Sequence, residues 1–241
     1  MFQEKEEVLF SSVGRERSMA KTFMANVFSW MFIALAITGT VSYYFAKEPS
    51  LISLLFNPET GGMSILGWIV MLAPLGFVFL MSLGFNKLSY PVITALYIVY
   101  SILMGMSLSF IFLAYTASSI YSAFGVSALT FGVMAIMGYT TKTDLTKFGS
   151  ILTMALIGLV VAMLINFFLQ SSAMGYIISI AGVLIFTGLV AYDVQKLKRI
   201  GAGAEYGTET TNKLVILGAL TLYLDFVNLF LFLLRLFGGR K

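Results

Sequence analysis

LTLYLDFVNLFLFLLRLF, residues 220–237, is apolar enough to lie in a lipid bilayer, yet it carries Asp225 near its middle. A carboxylate at mid-bilayer costs at least about 2.5–3.5 kcal/mol on insertion scales. The neighbouring residues show how that cost is contained. At about 100° per residue, Gly218, Thr221, Asp225, Asn228 and Arg235 fall within an arc of about 100°. The rest of the circumference is mostly Leu, Phe and Val. One polar stripe on an apolar helix says that this face meets protein or water rather than lipid. The plainer role for Asp225 and Asn228 is glue between helices. Ionisable groups inside a membrane more often mark function.

The rest of the chain agrees that the solvent is lipid. Of 241 residues, 59% are hydrophobic and 11% charged, against about 25% charged in an ordinary soluble domain. The net charge of +4 is carried in short loops and tails, not in one stripe, so nucleic acid is not an expected partner. There is no cysteine and no histidine. This removes disulfides, histidine-dependent triads, the usual zinc sites and the commonest general base.

A spanning helix needs roughly 20 mostly apolar residues. Seven such stretches occur, at 23–46, 64–85, 90–113, 119–140, 149–170, 174–195 and 213–237. The expected organisation is a charged tail over 1–22, a seven-helix domain over 23–237 and a short tail over 238–241. The first apolar run is longer than a signal-peptide core of about 7–15 residues, so it reads as a retained helix. Turn chemistry separates the spans: AKEPS and NPETGG, FNKLSY, AYTASS, TTKTDLTK, LQSSAMG and the long polar KLKRIGAGAEYGTETTNK. With seven spans, eleven Lys and Arg fall on the side of the N-terminus and four on the other. An excess of this kind marks the cytoplasmic face. Three of those four lie at or beyond the end of the last span. They leave six spans plus a re-entrant segment as a minority reading. Ser101, Gly105 and Ser109, and separately Ala128 and Gly132, recur every four residues and offer faces for close helix packing. Pro74, inside the second span, is expected to kink it.

A second intramembrane acid is Asp193, in GLVAYDVQKL near the end of the sixth span. Alone, it is explained by an interfacial ion pair with Lys196. Together with Asp225 it says more, because the sixth and seventh spans are consecutive and antiparallel. If the carboxyls approach, both cannot ionise comfortably in a low dielectric, and the pair would share a proton near neutral pH. Asp225 lies about 18 Å into its span at 1.5 Å per residue, whereas Asp193 is near the end of its own. They meet only if one helix tilts or the last helix starts well outside the membrane. Asn166 is a further buried polar candidate, for a helix–helix hydrogen bond. Lys87, the sole basic residue between spans two and three, is a topogenic lysine or a latch to a carboxylate.

The tyrosine–aspartate of VAYDVQKLK, Tyr192 and Asp193, followed by the C-terminal LTLYLDFVNLFLFLLRLFG, resembles the Bax inhibitor family of membrane proteins. The likeness covers most of the chain, and its last sixty residues are the specific part. It implies an all-α polytopic fold in which six helices surround a central seventh. It also implies a pH-sensing aspartate pair, placed here at Asp193 and Asp225, and a calcium leak. Tyr192, Thr221, Asn228 and Lys87 are the polar residues expected to support that pair. No cofactor is implied beyond calcium as the permeant ion, held weakly and transiently by the two aspartates. The stretch GAGAEYGTE is an extension relative to that pattern.

An enzyme is the competing class. Aspartates on adjacent spans also describe intramembrane aspartyl proteases, in which an acid and a base activate water. Those use YD and GxGD. Here Leu222, Tyr223 and Leu224 precede Asp225, and no proline follows Pro91. Catalytic residues are therefore not expected. A third reading also follows from the resemblance: a modulator of a membrane-anchored AAA protease in a bacterial inner membrane, with the charged N-terminal tail as the contact.

Overall fold

The structure, a computed structural model, describes residues 2–57, 62–205, 207–239 and 241, with side-chain surroundings from residue 17 onward. Helix α1 (Phe2–Lys47) is followed by a short helix α2 (Pro49–Leu55) and a two-stranded hairpin, β1 (Phe56–Asn57) and β2 (Gly62–Met63). Six long helices follow: α3 (Ile65–Leu83), α4 (Tyr90–Ala114), α5 (Ala117–Thr140), α6 (Thr146–Leu169), α7 (Ser172–Ala202) and α8 (Glu209–Phe237). Seven helices, α1 and α3–α8, are long and apolar enough to cross a membrane. The chain is an all-α, multi-pass membrane protein, as expected. Backbone groups in lipid must be satisfied within the segment, and helices achieve this.

Two boundaries differ from the expected ones. The N-terminal tail is helical and continuous with the first span, since nothing between Phe2 and Lys47 is a proline. The long polar loop shrinks to 203–208: its basic half continues α7, and Thr208 caps α8 by accepting from the Thr211 amide at 3.2 Å. Pro74 is buried inside α3 without ending it. Residues 58–61 of the NPETGG break, Tyr206 of the 201–209 extension and Arg240 lie outside the described residues.

The last helix is the most enclosed. Of its most apolar stretch 67% is buried within the protein, against 44% for α7 and 28% or less for the others. It packs on α1, α4, α5 and α7, whereas α3 packs chiefly on α4 and α6 on α7. It also crosses the whole bundle. At its start, the Glu209 carboxylate accepts from the Tyr90 amide at 3.1 Å. Lys213 Nζ donates to the carbonyls of Phe85 and Leu88 at 3.3 and 3.1 Å. At its end, the Thr116 amide donates to Gly239 at 3.1 Å and the Lys241 amide to Ala114 at 3.1 Å. Those two anchor points lie at opposite ends of α4, so α8 runs the length of the bundle as one continuous helix of 29 residues.

The small-residue face of α4 packs as read. A Cβ on Gly105 would lie 2.7 Å from Val41 Cβ and 2.8 Å from the Thr38 carbonyl of α1, so only glycine permits the approach. On α5 the expected pair is corrected. Ala128 is exposed and nothing packs within 4 Å of a Cβ on Gly132. The buried face is Ala123, Ser127, Ala135 and Gly138, with Gly138 seated on the Ala191 carbonyl of α7. Two small-residue stripes run along α5, and packing selects one.

Candidate functional site: the buried carboxyl pair

Helices α7 and α8 pack antiparallel in a register fixed by several contacts. Leu197 covers Gly218, and Phe186 stacks on Phe232 at 5.8 Å between ring centroids. Between these two contacts Asp193 of α7 lies opposite Asp225 of α8 as a near neighbour. The depth problem is resolved by helix length. Helix α7 runs nine residues beyond Asp193, or about 13 Å, so Asp193 is not at the end of its helix. Helix α8 starts 16 residues before Asp225, or about 24 Å.

Both acids are enclosed: Asp193 is 9% and Asp225 5% exposed. Asp225 Oδ2 has no hydrogen-bond donor among the described residues. Lys196, the expected ion-pair partner of Asp193, is exposed, and its ammonium lies 5.9 Å from the Tyr192 ring centroid. The ion pairs among the described residues are Arg199–Asp144 at 2.8 Å and Lys213–Glu209 at 3.6 Å. Neither involves the buried acids. Two neighbouring carboxyls without a salt bridge are tolerated in apolar surroundings when one is protonated.

The supporting residues divide. Thr221 and Asn228 flank Asp225 on its stripe, but each donates to its own helix, to Leu217 at 3.0 Å and Leu224 at 2.8 Å. They therefore lower the cost of a polar stripe without bridging helices. Tyr192 is directed to α6, where its ring packs on Gly149, and so lies away from Asp225. Lys87 is exposed on the α3–α4 turn; the tie between that turn and α8 is made by Lys213. Asn166 Oδ1 accepts from the Ser171 amide at 3.1 Å and fastens the α6–α7 turn.

Other polar groups were not singled out from the sequence. Thr38 donates to the Ser101 carbonyl at 2.9 Å and shares a hydrogen bond of 2.8 Å with the Tyr223 hydroxyl, joining α1, α4 and α8. Gln195 clamps the α5–α6 turn, donating to Thr143 at 2.8 Å and accepting from the Leu145 amide at 2.9 Å. On that turn, hydrogen bonds from Thr146 and then Arg199 hold Asp144 well below the usual carboxylate range. Tyrosines and threonines at helical spacing look like ordinary core, and nothing in the sequence ranks them higher.

A seven-span helical bundle whose most enclosed helix carries one of two neighbouring buried acids defines a class of membrane protein. The profile of the family described as "Inhibitor of apoptosis-promoting Bax1" matches residues 20–241. An Escherichia coli K12 protein named "Inner membrane protein YbhL" is 47% identical over 231 residues, covering 95% of this chain and 97% of its own. A Borreliella burgdorferi protein is 42% identical, with 99% and 97% covered. A Rickettsia prowazekii protein is 40% identical, with 92% and 91% covered. The chain belongs to the Bax inhibitor family.

Proposed function

We propose that this protein is a passive calcium leak of a bacterial inner membrane, opened and closed by protonation of the Asp193–Asp225 pair. The reading rests on two enclosed acids that lie opposite each other on neighbouring spans, with one oxygen lacking a donor among the described residues. A shared proton joins α7 and α8. Two negative charges in contact repel and favour a separated arrangement, and at ε of about 20 that repulsion is about 4 kcal/mol at 4 Å. The same oxygens suit a hard divalent cation. Two carboxylates hold it weakly, and permeation requires weak binding. The basic end of the bundle is the cytoplasmic one in this reading, and no catalysis is assigned. The similarity to an inner membrane protein supports the location.

The test is calcium uptake into liposomes carrying the purified protein, from pH 5 to 8, with Asp193→Asn and Asp225→Asn. Uptake should vary with pH in the wild type and lose that dependence in both variants. No uptake at any pH sinks the leak. Unchanged dependence in both variants removes the pair from the gate. A second reading, modulation of a membrane-anchored AAA protease, is favoured by one feature. Helix α1 continues for 21 residues before Phe23, which packs on Gly201 near the end of α7. Deleting 2–16 should then alter the partner's proteolysis while leaving ion flux unchanged.

A further inference from the structure

The basic end holds a cavity whose lining includes neither acid of the pair. It lies between α1, α5 and α7, has a volume of about 710 Å³ and is lined by ten residues. Five are cationic: Arg17, Lys21, Lys142, Lys198 and Arg199. None of the ten is acidic. An excess of cations at one end of a membrane protein follows from topology, but topology spreads them over the loops. It does not gather five around one concavity.

Two of the five are fixed. Lys198 donates to the Tyr139 carbonyl at 2.7 Å and lies 4.7 Å from the centroid of that ring. Arg199 donates to Asp144 and to the Gln195 amide oxygen, at 2.8 and 2.9 Å. The buried Gln195 pins the turn that carries Lys142. Arg17 and Lys21 come from α1, one turn apart on either side of the buried Ala20, a spacing at which like charges repel. Asp144 is the acid at this border, and Arg199 holds it. The concavity thus concentrates positive potential with a rim held in place, and such a cleft attracts anions.

The lining also indicates which anion. Arginine forks and lysine point charges together suit phosphate oxygens. The one aromatic ring in the lining, Tyr139, is covered by Lys198, so a stacked base has no platform. We propose that this cavity binds a phosphate-bearing anion. At the end of the membrane spans that group comes either from the headgroup of an anionic phospholipid or from a soluble phosphate compound.

The experiment uses the full-length protein in two arms. Native mass spectrometry from micelles holding equal phosphatidylglycerol and phosphatidylcholine reports retained lipid. Thermal unfolding in detergent with inorganic pyrophosphate, against sodium chloride at matched ionic strength, reports the soluble source. The variants are Lys21→Gln with Lys142→Gln, and Ala202→Glu, which places a carboxylate in the lining without removing a cation. Each lost cation should weaken binding roughly fivefold, and Ala202→Glu should weaken it comparably. Selective retention of phosphatidylglycerol assigns a lipid headgroup, and stabilisation by pyrophosphate assigns a soluble ligand. Binding of neither probe, or binding that all variants leave unchanged, overturns the site. Unfolding without probe establishes that each variant is folded. Should Ala202→Glu fail that check, the double glutamine variant decides.

Discussion

Tyr223 and Tyr100 are both fully buried, and their rings meet edge to face at 5.5 Å. Their hydroxyls differ: that of Tyr223 bonds Thr38, whereas that of Tyr100 has no partner among the described residues. Tyr223→Phe should therefore cost about 0.5–1.5 kcal/mol, and Tyr100→Phe should be neutral or slightly stabilising. Unfolding in mixed detergent micelles measures both. An equal loss in the two variants would show that the Thr38 bond is not what distinguishes them. At this scale the sequence marks Asp193 and Asp225 because an acid in an apolar run violates the solvent's rule. It marks neither tyrosine, because a tyrosine in a membrane helix violates nothing.

Helix pairs carry the next level. Gly138 of α5 rests on the Ala191 carbonyl of α7, two residues from Asp193. A methyl group there runs into backbone, which cannot swing aside as a side chain would. Gly138→Ala should cost about 1–3 kcal/mol, the usual range for overpacking a tight contact. Gly132→Ala, on the open face of the same helix, should be neutral or stabilising by up to about 1 kcal/mol. Comparing their thermal unfolding tests the corrected packing face of α5. The sequence offered Ala128 with Gly132 because their spacing fits a packing stripe. The stripe through Ser127, Ala135 and Gly138 is as regular, and spacing alone does not rank them.

At the scale of the molecule, the leak reading requires α7 and α8 to part at the acid pair. The chain has no cysteine, so an introduced pair is unambiguous. Leu197 covers Gly218 one turn from Asp193, with its Cδ2 2.7 Å from where a Cβ on Gly218 would sit. Leu197→Cys with Gly218→Cys should form a disulfide that abolishes pH-dependent calcium uptake, with recovery on reduction. Uptake unaffected by the cross-link would mean that these helices stay together while ions pass.

The sequence by itself determined the solvent, the number of spans and the two acids. Hydropathy and the cost of burying charge are properties of segments and need no neighbours. It placed the end of α7 too soon after Asp193, because the helix continues through a basic, polar stretch that reads as loop. Only the tertiary structure decided that Asp193 and Asp225 lie opposite each other, that Tyr192 turns to α6, and that five cations from α1, α7 and the α5–α6 turn share one cavity. Those are statements about register and rotation between helices. They are set by close contacts such as Gly105 on Val41, Gly138 on Ala191 and Leu197 on Gly218, and no single segment encodes them.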